Sequence, residues 1–200
     1  MPGDYVESHN RLLDLVPNNR MVEFGLGEGT QYFLNRFNKV VSVELFSPDQ
    51  NIASKYRISN DYWMDHFKKE FSSYSNWEIV GIPVGEEILK AEEDITGVGG
   101  LPRGSEPRNN YKTELYSLLD GFFSKQEPFD FAFVDAGIHL RGDIVNYLFG
   151  RVPLISAHDF HDAEGVYGYH RIVVPDGYRQ EEGESSAEGT MFWISKEIDK

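Results

Sequence analysis

The sequence predicts an α/β fold, a doubly wound and mostly parallel sheet that ends in an antiparallel pair of strands. Short apolar runs alternate about five times with longer amphipathic ones, which indicates a parallel sheet with helices on both faces. A glycine-rich turn follows the first apolar run, as expected between a strand and a helix of such a sheet. The last two strand candidates have no helical pattern between them, so we expect them to pair antiparallel at one edge.

The individual elements follow from apolar periodicity. The parallel strands are predicted at 21–24, 39–44, 77–82, 129–135 and 152–157, and the C-terminal pair at 169–174 and 190–195. Helices are predicted at 5–15, 30–37, 50–71, 111–123 and 142–149, the third with Tyr56, Tyr62, Trp63 and Phe67 facing inward. Residues 96–110, rich in glycine and proline, predict a mobile loop. We expect one domain over residues 1–200, because the chain is too short for two ordinary ones.

Composition narrows the classes of function. The chain has no cysteine, which excludes disulfides, a thiolate metal site and a cysteine nucleophile. The first residues do not resemble a signal peptide, and no run approaches the ~20 apolar residues of a membrane span, so a cytoplasmic protein without a membrane partner is expected. The net charge of −14 repels phosphate backbones and favours a small-molecule substrate over a nucleic acid. No pattern indicates an oligomeric state.

The glycine-rich turn is a candidate ligand loop. It contains Gly25, Gly27 and Gly29 between the first strand and the next helix, where parallel sheets bind ligands. Gly25 would permit the tight turn, Gly27 a close approach of backbone to ligand, and Gly29 the packing of the helix start. Glu44 ends the second strand, 19 positions after Gly25, where a carboxylate can accept hydrogen bonds from ribose hydroxyls.

The same turn departs from a dinucleotide fingerprint. That fingerprint has a third Gly or Ala three positions after the second glycine, where this chain has Thr30. Glu28, inside the turn, would repel a pyrophosphate. A ligand that carries an ammonium, a carboxylate and a sulfonium suits this turn better than one with two phosphates.

These motifs resemble a known family. The run VEFGLGEGT, with Glu44 after it, is similar to the first two motifs of class I S-adenosylmethionine-dependent methyltransferases. The later runs FDFAFVDAG and VPLISAHDF, followed by an antiparallel strand pair, resemble the remaining elements of that family's fold in their order along the chain. The resemblance extends from about residue 20 to 195 and implies a Rossmann-like fold, S-adenosylmethionine as cofactor, and a likeness to the small-molecule O-methyltransferases.

The resemblance also implies roles for single residues. Glu23 and the backbone of Gly25 and Gly27 would face the methionine part of the cofactor, and Glu44 would hold the ribose. Residues 82–84 would flank the adenine. No Asp follows them to bind the adenine amino group, and Glu86 or Glu87 is the nearest candidate substitute.

Acidic and imidazole side chains gather at the ends of the fourth and fifth strands. Asp135 ends the fourth strand, with His139 four positions later, and His158 and Asp159 end the fifth. This arrangement resembles a subfamily of small methyltransferases, some of which bind a divalent metal through such carboxylates. We expect Asp135 to lie against the cofactor. A histidine whose pKa is near neutrality can take the proton of an attacking hydroxyl. Alternatively, Mg²⁺ held by Asp135 and Asp159 can lower the pKa of that hydroxyl and orient it.

Several alternatives stay open at the level of sequence. A metal site of Asp135, His158, Asp159 and His161 has no ligand-spacing motif to support it. The 96–110 loop could act as a lid that presents Arg103 or Arg108 to an anionic substrate. The function predicted is methyl transfer to a small molecule, at a hydroxyl oxygen. A non-catalytic cofactor-binding module, or a nicotinamide-dependent oxidoreductase, would share the same fold.

Overall fold

The computed structural model describes residues 5–56, 58–161, 165–183 and 189–199, with side chains from residue 9 onward. The strands are β1 (Arg20–Phe24), β2 (Lys39–Phe46), β3 (Trp77–Pro83), β4 (Phe131–Val134), β5 (Leu154–His158), β6 (Tyr178–Glu182) and β7 (Thr190–Ser195). The helices are α1 (Tyr5–Leu13), α2 (Thr30–Leu34), α3 (Gln50–Tyr56), α4 (Asp61–Glu70), α5 (Glu86–Thr96), α6 (Tyr111–Phe123) and α7 (Arg141–Leu148), with a 3₁₀ helix at Tyr169–Arg171. Among these residues no helix is both long and apolar enough to cross a membrane.

One sheet of seven strands runs through the described residues in the order β3-β2-β1-β4-β5-β7-β6. Strands β1 to β5 are parallel, and β7 pairs antiparallel with both β5 and β6. The predicted fold class is therefore confirmed. Because β1 leads outward to β2 on one side and has β4 on its other side, the topological switch point lies between β1 and β4.

Apolar side chains cover both faces of the sheet. On one face Val22 and Phe24 of β1 pack with residues of α3, α5, α6 and α7. On the other, Met21 of β1 packs with residues of α1, α2 and α4. The alternation of strand side chains between two buried faces explains why the central strands are apolar almost throughout.

The predicted helix over 50–71 is wrong in one respect, because the structure has two helices there. Asn60 caps α4, and its side chain accepts a hydrogen bond from the Trp63 backbone N–H at 3.1 Å. The predicted inward anchors Tyr56 and Phe67 are buried, whereas Tyr62 is 77% and Trp63 43% exposed. The restart at Asp61 places Tyr62 and Trp63 in the first turn of α4, away from its buried face.

The predicted strand at 169–174 is also wrong. Tyr169–Arg171 forms a 3₁₀ helix, and the edge strand lies later, at Tyr178–Glu182. The run Ile172-Val173-Val174 resembles a strand in composition, yet Val173 is 76% exposed. The true edge strand is polar, with sequence YRQEE, as is common where a strand has a solvent-facing edge.

Helix α5 was not predicted, because two buried acidic side chains interrupt its apolar stripe. Ile88, Ala91 and Ile95 lie in the core at helical spacing, but Glu92 and Asp94 are buried between them. After α5, residues 97–110 contain no helix or strand. This agrees with the predicted loop, whose mobility stays a prediction.

Candidate functional site

A cleft of about 340 Å³ opens at the switch point, beyond the carboxyl ends of the parallel strands. This volume lies in the range of small-molecule sites. The cleft is lined by Glu23, Gly25, Leu26, Gly27, Glu28, Gly29, Thr30, Glu44, Ser59, Trp63, Phe133, Asp135, Gly137 and His158. The structure therefore brings together the residues predicted for the methionine and ribose parts of the cofactor, which are Glu23, Gly25, Gly27, Gly29, Glu44 and Asp135.

The loop after β1 turns sharply at Gly25 and packs against the end of β4. Gly25 has a φ of +89°, in the left-handed region. A Cβ at this position would lie 2.2 Å from the Asp135 carbonyl oxygen. A glycine is needed here for both reasons, the backbone conformation and the close approach of two chain segments.

Gly27 faces the open cleft instead. A Cβ built on it would meet nothing within 4 Å. Its backbone N–H donates to the Thr30 hydroxyl at 3.1 Å, and Thr30 N–H donates back to the Gly27 carbonyl at 3.0 Å. Thr30, at the position where a dinucleotide fingerprint has Gly or Ala, thus closes the loop. Gly29 has an ordinary helical φ of −66° at the start of α2.

Leu26 is held from two sides. Its backbone N–H donates to Glu44 Oε2 at 3.1 Å, and its carbonyl accepts from Trp63 Nε1, also at 3.1 Å. Glu44 therefore points toward the glycine loop, and its contact with a ribose stays a prediction. Trp63 ties α4 to the same loop and forms part of the cleft wall.

Glu23 is almost completely buried, with 1% of its surface exposed. It accepts hydrogen bonds from the hydroxyls of Ser42 and Thr30, and Ser42 in turn accepts from Trp77 Nε1 at 2.8 Å. Burial raises the pKa of Glu23 to about 8, and the nearby charges of Glu44 and Asp135 add to the rise. Removal of water from a carboxylate disfavours its charged form.

Glu44 and Asp135 show the same effect. Burial raises the pKa of Glu44 to about 7, against the hydrogen bonds from Ser59 and Leu26. Burial also raises the pKa of Asp135 above its ordinary value, against the opposing charge of Arg141. Three carboxyl groups with raised pKa values therefore line one cleft. A cation in the cleft would favour the ionised form of these carboxyl groups by charge attraction, whereas a phosphate would disfavour it.

The cleft wall beyond Glu44 differs from the predicted adenine site. Ile82 and Val84 are buried in the core and, like Glu86 and Glu87, do not line the cleft. The segment after β2 folds across instead, with Ser47 N–H donating to the Ser59 carbonyl at 3.0 Å. Ser59 and Trp63 thus occupy this part of the wall.

Sequence reasoning missed Ser59 and Trp63 because it predicted one continuous helix over 50–71. The run Ser59-Asn60-Asp61 contains a signal that would have found them. Ser, Asn and Asp are the side chains preferred at the start of a helix. A helix start at this point separates Ser59 from the preceding helix and places Trp63 in the first turn of the next.

Asp135, His158 and Asp159 come together at the ends of β4 and β5. One donor atom of each lies within 4.8 Å of the others. His158 Nδ1 is 2.9 Å from Asp159 Oδ1. Burial raises the pKa of Asp159, but the hydrogen bond from His158 and the charge of Arg141 outweigh burial and bring the pKa below its usual value.

A divalent metal does not fit this donor set as it stands. Arg141 Nη1 lies 2.7 Å from Asp135 Oδ1 and 2.9 Å from Asp159 Oδ2. The guanidinium thereby occupies the two carboxylates that a metal would need. His161, also considered as a ligand, lies apart from this cluster, with its Nε2 2.6 Å from Glu182.

His139 is not part of the cleft. Its backbone N–H and its Nδ1 both lie within hydrogen-bond distance of the buried Glu92, at 2.9 and 2.7 Å. It lines a second cavity of about 140 Å³ with Lys55, Tyr56, Thr96, Val98 and Arg103. Gly137 lines the first cavity and His139 the second, so the chain after β4 passes between the two.

The 97–110 loop is fastened to α5 at Arg108. The backbone N–H and guanidinium of Arg108 bind Asp94, with Nη2 2.6 Å from Oδ1. Arg108 therefore does not face the cleft, and Arg103 lines the second cavity instead. The role of this loop as a lid stays a prediction.

Comparison with known proteins identifies structures with the same fold. No protein-family sequence model matches the chain, and no curated protein matches it. An O-methyltransferase of Bacillus cereus, solved in complex with S-adenosylhomocysteine, has 14% identity and a TM-score of 0.56 over 94% of this chain and 78% of that one. The O-methyltransferase TomG of Streptomyces achromogenes, involved in tomaymycin synthesis and solved with S-adenosylmethionine, has 11% identity and a TM-score of 0.52 over the same shares.

A third structure is similar to the same degree. The Escherichia coli protein yhhF, described as a putative methyltransferase, has 13% identity and a TM-score of 0.50, over 94% of this chain and 82% of that one. At these identities the likeness shows the fold. This chain has the Rossmann-like fold of class I methyltransferases, with the antiparallel C-terminal strand pair.

Proposed function

We propose that this chain is an S-adenosylmethionine-dependent methyltransferase that transfers the methyl group to a small molecule, at a hydroxyl oxygen. The observation that carries the proposal is the switch-point cleft, where the alternating-glycine loop faces the carboxyl groups of Glu23, Glu44 and Asp135. That donor set suits a ligand with cationic and ribosyl groups. The shared fold with an O-methyltransferase solved with S-adenosylhomocysteine supports it.

The loop and the carboxylates would hold the cofactor. When bound, S-adenosylmethionine supplies an electrophilic methyl group on a sulfonium centre. The Gly27 backbone, with open space before it, allows a close approach of the methionine part. Glu23 and Asp135 would face its positive charges, and Glu44 would accept hydrogen bonds from the ribose.

Ser59 and Trp63 would form the adenine end of the cleft. They line the wall beyond Glu44, where the resemblance had suggested residues 82–84. The hydrogen bond from Trp63 Nε1 to the Leu26 carbonyl fixes the indole ring beside the glycine loop. A fixed aromatic ring offers a base a surface for stacking.

His158 is the candidate base for the acceptor hydroxyl. It lines the cleft, and Asp159 orients its Nδ1. An imidazole held in this way can accept the proton as the hydroxyl oxygen attacks. His139, held by Glu92, is a second candidate and would serve an acceptor that extends into the second cavity.

A small acceptor agrees with the charge of the molecule. The net charge of −14 and the acidic cleft disfavour a polyanionic substrate such as RNA. Incubation with S-adenosylmethionine labelled on the methyl group, with panels of small hydroxyl compounds, small amines and RNA, tests this. We expect label only in a hydroxyl compound, and labelled RNA or amine would contradict the acceptor class. Tight binding of S-adenosylhomocysteine without transfer to any panel member would favour a non-catalytic binding module.

Replacement of Glu44 tests the placement of the ribose. Glu44→Gln keeps an acceptor for the Leu26 N–H and removes a charged acceptor from the ribose site. We expect the affinity for S-adenosylhomocysteine to fall about tenfold, which corresponds to the loss of one hydrogen bond to a charged group. Glu78→Gln, at a partly exposed carboxylate of β3 that pairs with Lys39 and does not line the cleft, is the matched control. Equal affinity of Glu44→Gln and wild type would show that the ribose lies elsewhere.

A further inference from the structure

Arg141 lies among the acidic groups at the ends of β4 and β5. Its Nη1 is 2.7 Å from Asp135 Oδ1 and 2.9 Å from Asp159 Oδ2. Its Nε donates to the Ala136 carbonyl at 2.8 Å. Only 7% of the Arg141 side chain is exposed. This cation is therefore buried within the site and is not a surface residue.

Two tyrosines fix the guanidinium in place. The Tyr167 ring lies 3.8 Å from the Arg141 Cζ, within the range of a cation–π contact. Tyr169 is hydrogen-bonded to Arg141 and also donates to the His158 carbonyl. Arg141 is thereby connected to all three residues of the Asp135–His158–Asp159 cluster, to two by ion pairs and to the third through Tyr169.

The same three residues have the composition of a divalent-cation site. Two carboxylates and one imidazole, with donor atoms within 4.8 Å of one another, are ligand types that Mn²⁺ and Zn²⁺ accept. A divalent ion between Asp135 and Asp159 would compete with Nη1 for the same oxygen atoms. It would also lie within a few ångströms of a buried positive charge, where repulsion is weakly screened.

We propose that Arg141 is an internal cation that takes the position of a divalent metal between Asp135 and Asp159. The guanidinium pairs both carboxylates, joins the ends of β4 and β5 and keeps metal ions out. Removal of its charge converts Asp135, His158 and Asp159 into a site for one divalent cation. If the chain has the proposed function, it follows that methyl transfer needs no metal and that the acceptor proton passes to a side chain.

Binding of Mn²⁺ tests the proposal directly, because free aqueous Mn²⁺ has an electron paramagnetic resonance signal that is lost on binding. The metal-free wild type, Arg141→Met, Arg141→Lys and the double variant Arg141→Met/Asp159→Asn are titrated in parallel. We expect Arg141→Met to bind one Mn²⁺ per chain at least tenfold more tightly than wild type. Arg141→Lys keeps a positive charge and should resemble wild type, and the double variant should lose the ion.

Two results would overturn the proposal. One is tight binding of a single Mn²⁺ by wild type that disappears in Asp159→Asn, since the ion would then coexist with Arg141. The other is an Arg141→Met variant that binds Mn²⁺ no more tightly than wild type. If Arg141→Met folds only when a divalent ion is present during refolding, the ion replaces the guanidinium as proposed. If no divalent ion recovers it, the proposal is wrong.

The proposal and the function can fail separately. Calorimetric titration of wild type with S-adenosylhomocysteine tests the cofactor, and the Mn²⁺ titrations test Arg141 without any cofactor. If S-adenosylhomocysteine does not bind but the Mn²⁺ titrations give the expected results, the proposed function is rejected and the role of Arg141 is retained. If transfer occurs, we expect equal rates in EDTA and in Mg²⁺, and a rate that depends on Mg²⁺ would contradict the role of Arg141.

Discussion

Glu23 is the residue whose environment has the clearest thermodynamic consequence. Its carboxyl group is buried in the middle of the sheet, and its pKa is raised from 4.5 to about 8. The folded protein therefore holds this proton across a pH range in which the unfolded chain releases it. By linkage, the free energy of unfolding decreases as the pH rises from about 4.5 to about 8. Above that pH, Glu23 causes no further change.

Glu23→Gln should remove this pH dependence. An amide is neutral at every pH and can still accept the hydrogen bond from Ser42. We expect the stability of the variant relative to wild type to increase steadily as the pH rises from about 4.5 to about 8, with a slope of at most about 1.4 kcal/mol per pH unit, the value for one proton. Urea unfolding at several pH values measures the difference, with Glu78→Gln, at a partly exposed carboxylate, as control. Parallel stability curves for Glu23→Gln and wild type would contradict the buried, protonated carboxyl group.

Single residues also show where the sequence was informative about the site. The predicted cofactor residues Glu23, Gly25, Gly27, Gly29 and Glu44 all line one cleft, because spacing along strand ends determines spatial position in a parallel sheet. Ser59 and Trp63 could not be placed, since their position depends on where one helix stops and the next begins.

Arg141 was missed for a different reason. Nothing in the sequence distinguishes an arginine that is buried between two aspartates from one at the surface. Its partners come from three separate segments of the chain, with Asp135 before it and Asp159 and Tyr167 after it. Such a pairing becomes visible only when the fold brings those segments together.

At the scale of elements, the loop between β1 and α2 contains two glycines with different tasks. Gly25 makes the turn and allows contact with β4, whereas Gly27 leaves space in the cleft. The two positions therefore separate the requirements of folding from those of ligand binding.

Substitution by alanine should destabilise the protein at Gly25 and leave its stability almost unchanged at Gly27. Gly25→Ala forces a Cβ to within 2.2 Å of the Asp135 carbonyl oxygen at a positive φ, and we expect a loss of roughly 2 to 4 kcal/mol in unfolding free energy. Gly27→Ala adds a methyl group in open space, and stability should stay within about 0.5 kcal/mol of wild type. Thermal and urea unfolding measure both. A stable Gly25→Ala, or a strongly destabilised Gly27→Ala, would show that the loop is built differently.

The elements that sequence analysis predicted wrongly contain polar side chains in unusual places. Helix α5 was not predicted because its apolar pattern is interrupted by two buried acidic side chains. Glu92 binds His139, and Asp94 binds Arg108. The prediction of a strand at 169–174 is wrong because Tyr169 and Arg171 bind His158 and Asp143 instead. Periodicity reports apolar burial, and it does not report a buried polar side chain whose partner lies far along the chain.

At the scale of the whole molecule, strand order and charge act together. The order β3-β2-β1-β4-β5-β7-β6 places the ends of β1, β2, β4 and β5 around one cleft. The alternation of strands and helices was enough to predict a mostly parallel sheet with an antiparallel C-terminal pair, whereas the strand order comes from the structure. The net charge of −14 adds a negative field that attracts a cationic ligand and repels polyanions.

The most direct test of the central claim, that this cleft holds S-adenosylmethionine, is calorimetric titration with its product S-adenosylhomocysteine. Titrations at pH 7 in buffers of different ionisation enthalpy also count protons. We predict saturable binding of one ligand per chain, with proton release because the ligand's ammonium and ribose groups favour ionised Glu23 and Glu44. We also predict a large loss of affinity in Gly27→Leu, whose side chain would fill the cleft. No saturable heat with wild type, or undiminished binding to a folded Gly27→Leu, would contradict the account.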